Sequence, residues 1–280
     1  MLRRSGFNAI ESLPLFHDDA LMDPRTTLAR PDLAEQALEG CVEAGAYRAP
    51  TAMHGRVAVA DIHIGQDAGS ERIDQLLFGE AFDVLDRAGG RLWGRARRDG
   101  LVGWIDADAL AEGAPLPTHR IASVSVDLPF NALVVADNDD MAAHLMPIGT
   151  FETDPVSVAE RLLGVPHALG ARCSRATDCS GLVQQALYAC GLSGPRFADQ
   201  QASLGQGVGR NEARRGDLVV WPHATGDQAW TGHSALMLDA QRVIHATGHH
   251  GSVVIEDLAE AEARYRADGF EAPLFRRLAA

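Results

Sequence analysis

The feature that most constrains this chain is Asp178-Cys179-Ser180-Gly181-Leu182-Val183-Gln184, which sets a cysteine at the first position of a segment with helical periodicity. Leu182, Val183, Ala186, Leu187 and Cys190 recur at helical spacing, and Gly191 follows where a helix end favours a residue tolerant of positive φ. The pattern predicts an amphipathic helix from Cys179 to Cys190. A thiol at such a terminus lies beside unsatisfied backbone N–H groups and the positive end of the helix dipole, and both favour the thiolate. The segment alone leaves two readings open: a nucleophile, or a small buried hydrophobe, the commoner fate of a free cysteine.

Two histidines bear on that choice. Gly232 to Leu238 and Gln241 to Ala246 read as short strands around Asp239-Ala240. His233 and His245 are equidistant from Asp239, so a hairpin closing there sets them opposite each other on one face, with Cβ atoms roughly 5 Å apart. One imidazole then faces the thiol as a base and the other orients it. Cys179, His233 and His245 supply these three roles in that order; the alternative is a pair of satisfied core or surface histidines.

The motifs Asp-Cys-Ser-Gly-Leu-Val at 178–183, Arg-x-Gly-Asp-Leu-Val at 214–219, Gly232-His233 and Ile244-His245-Ala246 stand in that order. From about Asp154 to Arg277 the chain resembles the NlpC-type family of bacterial cell-wall cysteine endopeptidases. The resemblance implies a papain-like catalytic domain with Cys179 as nucleophile, His233 as general base and His245 as the orienting residue. It also implies that Asp178 and Ser180 contact the amine and polar groups of a substrate that begins with free L-Ala-γ-D-Glu. An Asp just before a helix is equally an N-cap. The family's Pro-Tyr-x-Trp-Gly-Gly stands here as Pro166-His167-Ala168-Leu169-Gly170-Ala171, so His167 replaces a tyrosine hydroxyl near the substrate, as a substitute donor or a sign of altered specificity.

Upstream, residues 47–111 hold short glycine-punctuated apolar segments: Gly55–Val59, Leu76–Asp86, Leu92–Ala96 and Asp99–Ile105. This is a small β-barrel pattern. Its ending, Asp-Gly-x-Val-Gly-Trp-Ile, resembles the bacterial SH3-like domain of the γ-D-glutamyl-L-diamino acid endopeptidases, where the barrel closes one end of the substrate groove. Trp93 and Trp104 are aromatic candidates for a groove wall, with barrel-core packing as the other reading. Glu80 is one of several carboxylates that could meet the substrate amine. The expected organisation is a wrapping segment at 1–45 with a helical stretch from Pro31 to Glu43, an SH3-like barrel at 46–112, a shortened second SH3-like segment at 113–152 and the catalytic domain at 153–280. The fold class is α+β.

Composition bounds partners and compartment. A net charge of −13 over 280 residues argues against nucleic acid or anionic membrane as a partner. Glu11, His17, Asp18 and Asp19 interrupt the start, so no signal peptide is expected, and no run reaches membrane-spanning length. Cys41, Cys173, Cys179 and Cys190 then read as free thiols of the cytoplasm, with Cys173 also a possible redox partner for Cys179. A zinc site could draw on His223, His233, His245, His249 and His250, but no tight ligand motif appears, and no metal or organic cofactor is expected. The expected activity is hydrolysis of the γ-D-glutamyl–diamino acid bond of murein peptides during cell-wall recycling. The alternatives are a murein-peptide binding protein with impaired catalysis, or an acyltransferase or amidase acting on another substrate.

Overall fold

The structure is a computed structural model that describes residues 22–136, 139–223 and 232–278. Helix Cys179–Ala189 is its central element. Its residues from Ser180 to Ala189 are all buried, and Leu182, Val183, Ala186 and Leu187 meet Val220, Leu236, Ile244 and Ala246. Those partners lie on one face of a six-stranded antiparallel sheet, ordered Gln206–Val208, Leu274–Arg277, Leu218–Pro222, Gly232–Met237, Arg242–Thr247, Ser252–Asp257. Alternation sends Val219, Trp221, Ala235, Met237 and Val243 to the other face, where helix Leu258–Ala267 covers them with Leu258, Ala261 and Tyr265. The short helix Pro155–Glu160 starts on the Asp154 cap with Pro155 in its first turn, and i→i−3 bonds carry the chain on to Leu163.

The upstream module is a seven-stranded antiparallel sheet, ordered Leu110–Glu112, Thr51–Gly55, Ala81–Ala88, Arg91–Ala96, Val102–Asp106, Val59–His63, Arg72–Leu77. The β-rich pattern is there, but no strand pairing joins the two edge strands into a closed barrel among the described residues. Gly55–Val59 is the link between two strands, and Leu76–Asp86 spans a turn at Gly79 between two others. Residues 113–152 form three short strands, with His119–Ile121 between Leu133–Val134 and Leu145–Pro147. Ile121 and Ala132 share a small core with Leu77 and Cys173 of the neighbouring units.

The helix expected from Pro31 to Glu43 is absent. Ala29–Arg30 pairs with Leu33–Glu35 across a tight turn, Ala34 pairs with Tyr47, and only a 3₁₀ turn, Gln36–Leu38, follows. Tertiary packing overrides helix propensity here: Leu28 and Leu33 insert into a cluster with Leu85, Trp93 and Trp104. The remainder of the 1–45 wrapping segment, residues 1–21, lies outside the described residues.

The seven-stranded sheet meets the loops around the Cys179 helix along a tight seam. Phe197 enters the sheet's core beside Met53, Phe82 and Leu101. Gly170, at φ +74°, lies so close to Arg72 that a Cβ there would meet the Arg72 carbonyl at 2.3 Å. Arg72 donates to the Leu169 carbonyl at 2.7 Å, and the Arg172 N–H donates to Gln75 Oε1 at 3.0 Å.

Candidate active site

Asp178 ties the loop before Cys179 to the Cys179 helix. Its Oδ1 accepts the Gly181 N–H at 2.8 Å, and its Oδ2 accepts the Gly170 N–H at 2.8 Å. Gly181 is required for that fit, because a Cβ there would meet the Ala171 carbonyl at 2.5 Å. Cys179 opens the helix and stands, partly exposed, on the wall of a cavity of about 350 Å³ shared with His167, His233, Thr247, Arg264 and Tyr265. Burial, then the Asp178 charge, push its thiol up to about 11, against the pull of the Ser234 N–H, Arg196 and the Ser180 N–H. Partial exposure tempers that push without reversing it. Desolvation and an adjacent carboxylate thus oppose the helix terminus, which favours the thiolate.

The histidines meet, but not directly across the hairpin. Leu236 pairs with Ile244 and Met237 with Val243, which centres the turn on Ala240 rather than Asp239. The Asp239 carboxylate accepts the N–H groups of Gln241 and Arg242, and the Leu238 N–H donates to the Arg242 carbonyl. His233 and His245 are therefore diagonal neighbours on one face, and their rings still join, with His233 Nε2 2.9 Å from His245 Nδ1. The face is the one carrying Trp221 and Tyr265, so Cys179 approaches only at the tip of its helix, where it takes the Ser234 N–H. Among the described residues no hydrogen bond joins the thiol to the His233 ring. Burial holds His233 well below its ordinary value, with His245, Arg264 and His167 adding to the effect. Burial likewise lowers His245 despite the pull of Glu256.

Several partners in this cluster escaped the sequence reading. His245 Nε2 lies 2.9 Å from Glu256 Oε2, which also accepts Arg264 Nη2 at 2.5 Å. The Tyr265 hydroxyl lies 2.8 Å from His233 Nε2, and its ring stacks on the imidazole with centroids 4.4 Å apart. The run Val253-Val254-Ile255 marks a strand, and Glu256 falls on the His245 face of it; that β-branched run was the available signal.

The substrate-binding expectations fare unevenly. His167 lines the cavity beside Cys179 and His233. Asp178, on the lining of the same cavity, and Ser180 are each almost wholly buried, and the Arg196 guanidinium donates to Asp178 Oδ1 at 3.0 Å, to Asp178 Oδ2 at 2.6 Å and to Ser180 Oγ at 2.9 Å. The carboxylate offered for an amine is already saturated by the chain's own cation. Glu80 is likewise spent, bonded to Arg172 at 2.5 Å and Arg98 at 2.6 Å. Asp74 lies 3.1 Å from Arg172 Nε and 2.7 Å from Arg196 Nε, completing a buried ionic cluster across the domain seam. Trp104 is corrected from groove wall to core: it is 8% exposed, packed on Leu28 and Leu33, with the Arg30 guanidinium 5.4 Å from its ring. Among the described residues no group of three or more His, Cys, Asp or Glu side chains is placed to hold a metal ion.

Residues 164–270, which hold the helix, both histidines and Glu256, match the NlpC/P60 family. The chain carries an NlpC/P60 domain. Residues 64–110 match the Bacterial dipeptidyl-peptidase Sh3 domain, so the SH3-like expectation for the upstream sheet stands as well. The NlpC/P60 family protein from Bacillus cereus aligns over 81% of this chain and 99% of its own length at TM-score 0.69 and 15% identity, which establishes the shared α+β fold. Peptidoglycan endopeptidase RipB of Mycobacterium tuberculosis is 34% identical over 84 residues, 30% of this chain and 33% of its own. The Gamma-D-glutamyl-L-lysine dipeptidyl-peptidase of Bacillus subtilis is 31% identical over 112 residues, 40% of this chain and 37% of its own. The match thus spans about a third of the length of these curated NlpC/P60 relatives.

Proposed function

We propose that the protein is a cysteine peptidase that cleaves the γ-D-glutamyl–diamino acid bond of murein peptides, with Cys179 as nucleophile, His233 as general base and His245 as its orienting partner. The observation that carries this reading is a thiol at a helix start sharing one cavity with His233, whose ring is already hydrogen-bonded to His245 at 2.9 Å. The resting pair is neutral thiol and neutral imidazole. As Sγ attacks the amide carbonyl, the thiol proton passes to His233 and the carbonyl electron pair moves onto oxygen, toward N–H groups at the helix start. His233 then returns the proton to the leaving nitrogen as the C–N bond breaks. A water, deprotonated by His233, opens the thioester and restores the thiol. His167, on the cavity wall, is the candidate donor to the substrate where related motifs carry tyrosine.

The bond choice draws support from the relatives named for γ-glutamyl cleavage in Bacillus subtilis, a Gamma-D-glutamyl-L-lysine dipeptidyl-peptidase and a Gamma-DL-glutamyl hydrolase. The amine-reading role first given to Asp178 is not part of the proposal, because Arg196 occupies that carboxylate. A cytoplasmic role in murein-peptide recycling belongs to the same proposal and is tested by fractionating cells that express the native gene. The activity test incubates reduced protein, and a Cys179→Ala control, with L-Ala-γ-D-Glu-meso-diaminopimelate and with its N-acetylated form, followed by mass spectrometry. The expected result is cleavage of both peptides between D-Glu and the diamino acid, lost in the control. Cleavage at another bond would overturn the bond assignment, and cleavage that persists in Cys179→Ala would overturn the nucleophile.

A further inference from the structure

We infer that Glu256 is a positioning residue that decides which ring nitrogen of His233 is free to take the thiol proton, a role that rests on His233 being the base. The argument is a proton count along one hydrogen-bonded chain. Burial raises Glu256, but its bonds to His245 and Arg264 win and hold it down at about 2, so it is a carboxylate that only accepts. His245 Nε2, 2.9 Å away, must then carry the hydrogen. His245 is neutral, so its Nδ1 is bare and accepts, and His233 Nε2 at 2.9 Å must donate to it. His233 is also neutral, which leaves its Nδ1 as the one bare nitrogen.

Tyr265 does not disturb the count. Its hydroxyl reaches the same His233 Nε2, but its own hydrogen has Thr247 Oγ1 at 3.4 Å as an acceptor, so it is free to receive rather than donate. Of the other titratable groups facing Glu256, Arg264 donates to the carboxylate at 2.5 Å, and the His250 ring stands off at 3.8 Å, beyond hydrogen-bond reach. Without the carboxylate, nothing in this chain of bonds selects Nε2–H over Nδ1–H on His245, and His233 follows whichever form its partner takes. An imidazole with hydrogen on the wrong nitrogen cannot accept the thiol proton, a fault that is severe in hydrolytic triads.

The test combines nitrogen NMR of the histidine rings, which tells a bare ring nitrogen from a protonated one, with turnover of the murein peptide. The wild-type protein is expected to show His233 and His245 both protonated at Nε2 and bare at Nδ1. Glu256→Met keeps the side-chain stem but removes the acceptor; it is expected to mix the tautomers of both rings and lower kcat about 100-fold. Glu256→Gln, whose amide oxygen accepts the same N–H, is expected to keep the wild-type tautomers and lose less than about 10-fold. Wild-type His233 protonated at Nδ1 would overturn the inference, with no variant needed. A folded Glu256→Met protein with unchanged tautomers and kcat would overturn it equally. Because the tautomers are read without substrate, a protein that shows them as assigned yet cleaves no peptide would sink the peptidase reading and leave only the tautomer assignment standing.

Discussion

Two buried polar clusters flank Cys179, and they are built on opposite principles. On one side Glu80, Arg172, Arg196 and Asp178 form a buried ionic clamp at the seam, joined by Asp74, which burial raises to about 8. On the other, His233, His245 and Tyr265 are hydrogen-bonded neutral groups, with one carboxylate, Glu256, at the far end. A clamp of opposite charges fixes geometry, since removing any one member strands a buried charge. A chain of neutral imidazoles can instead pass a proton with little motion of heavy atoms. Cys179, the proposed nucleophile, sits at the junction, and the clamp works against it: the Asp178 charge helps push the thiol up to about 11. Positioning and activation therefore come from different sides of the same residue.

The largest expected effect breaks the relay side. His233→Ala, like Cys179→Ala, should lower kcat by at least about 10³-fold with the fold intact, read from peptide progress curves and circular dichroism; turnover that survived would move activation to the clamp. Next comes the clamp itself. Arg196→Met leaves Asp178 and Asp74 buried without that partner and should cost about 3–5 kcal/mol in urea unfolding. A loss of activity with unchanged stability would instead make Arg196 part of the chemistry.

The pH dependence separates the clusters further. Burial depresses His233 and His245 below the ordinary 6.5, so their neutral forms contribute stability above that pH that is lost as pH falls through the folded values. Glu256, held down at about 2 against an ordinary 4.5, contributes stability above 4.5 that is lost as pH falls toward 2. Thermal unfolding midpoints should thus decline below pH 6.5 and again below pH 4.5, and His233→Gln should flatten the first decline. Alkylation of Cys179 by iodoacetamide should keep rising with pH toward about 11; a plateau by pH 7 would show a preformed thiolate. The smallest effect belongs to Trp104→Phe, which should cost about 1 kcal/mol of stability and leave kcat/KM unchanged, because the ring packs on Leu28 and Leu33 away from the cavity.

What the sequence disclosed was local. The Cys179 helix could be read from periodicity and its Asp178 cap, and the structure ends it at Ala189, with Gly191 beyond at φ +72°. The hairpin was legible but its register was not, because the Asp239 side chain caps the turn and shifts the centre by one residue. The pairing of Asp178 with Arg196 joins residues 18 apart, and Arg172 meets Glu80 across 92 positions. No short-range pattern encodes such contacts, so carboxylates that looked available for a ligand were already taken. The segment near Pro31 misled for a related reason: its helix formers are outvoted by Leu28 and Leu33 seeking the two tryptophans.

The seam at Gly170 and Phe197 carries a consequence for how this protein can be cut and recombined. Its seven-stranded sheet braces the loop before Cys179 through Arg72, Gln75 and Asp74. A fragment begun at residue 153 would expose Phe197 and strip Arg172 of Asp74, Glu80 and Gln75 together. Exchanging the sheet for another of the same kind would demand matching changes at each of those contacts. A cut or exchange in one half of this chain therefore reaches the packing and ion pairs of the other.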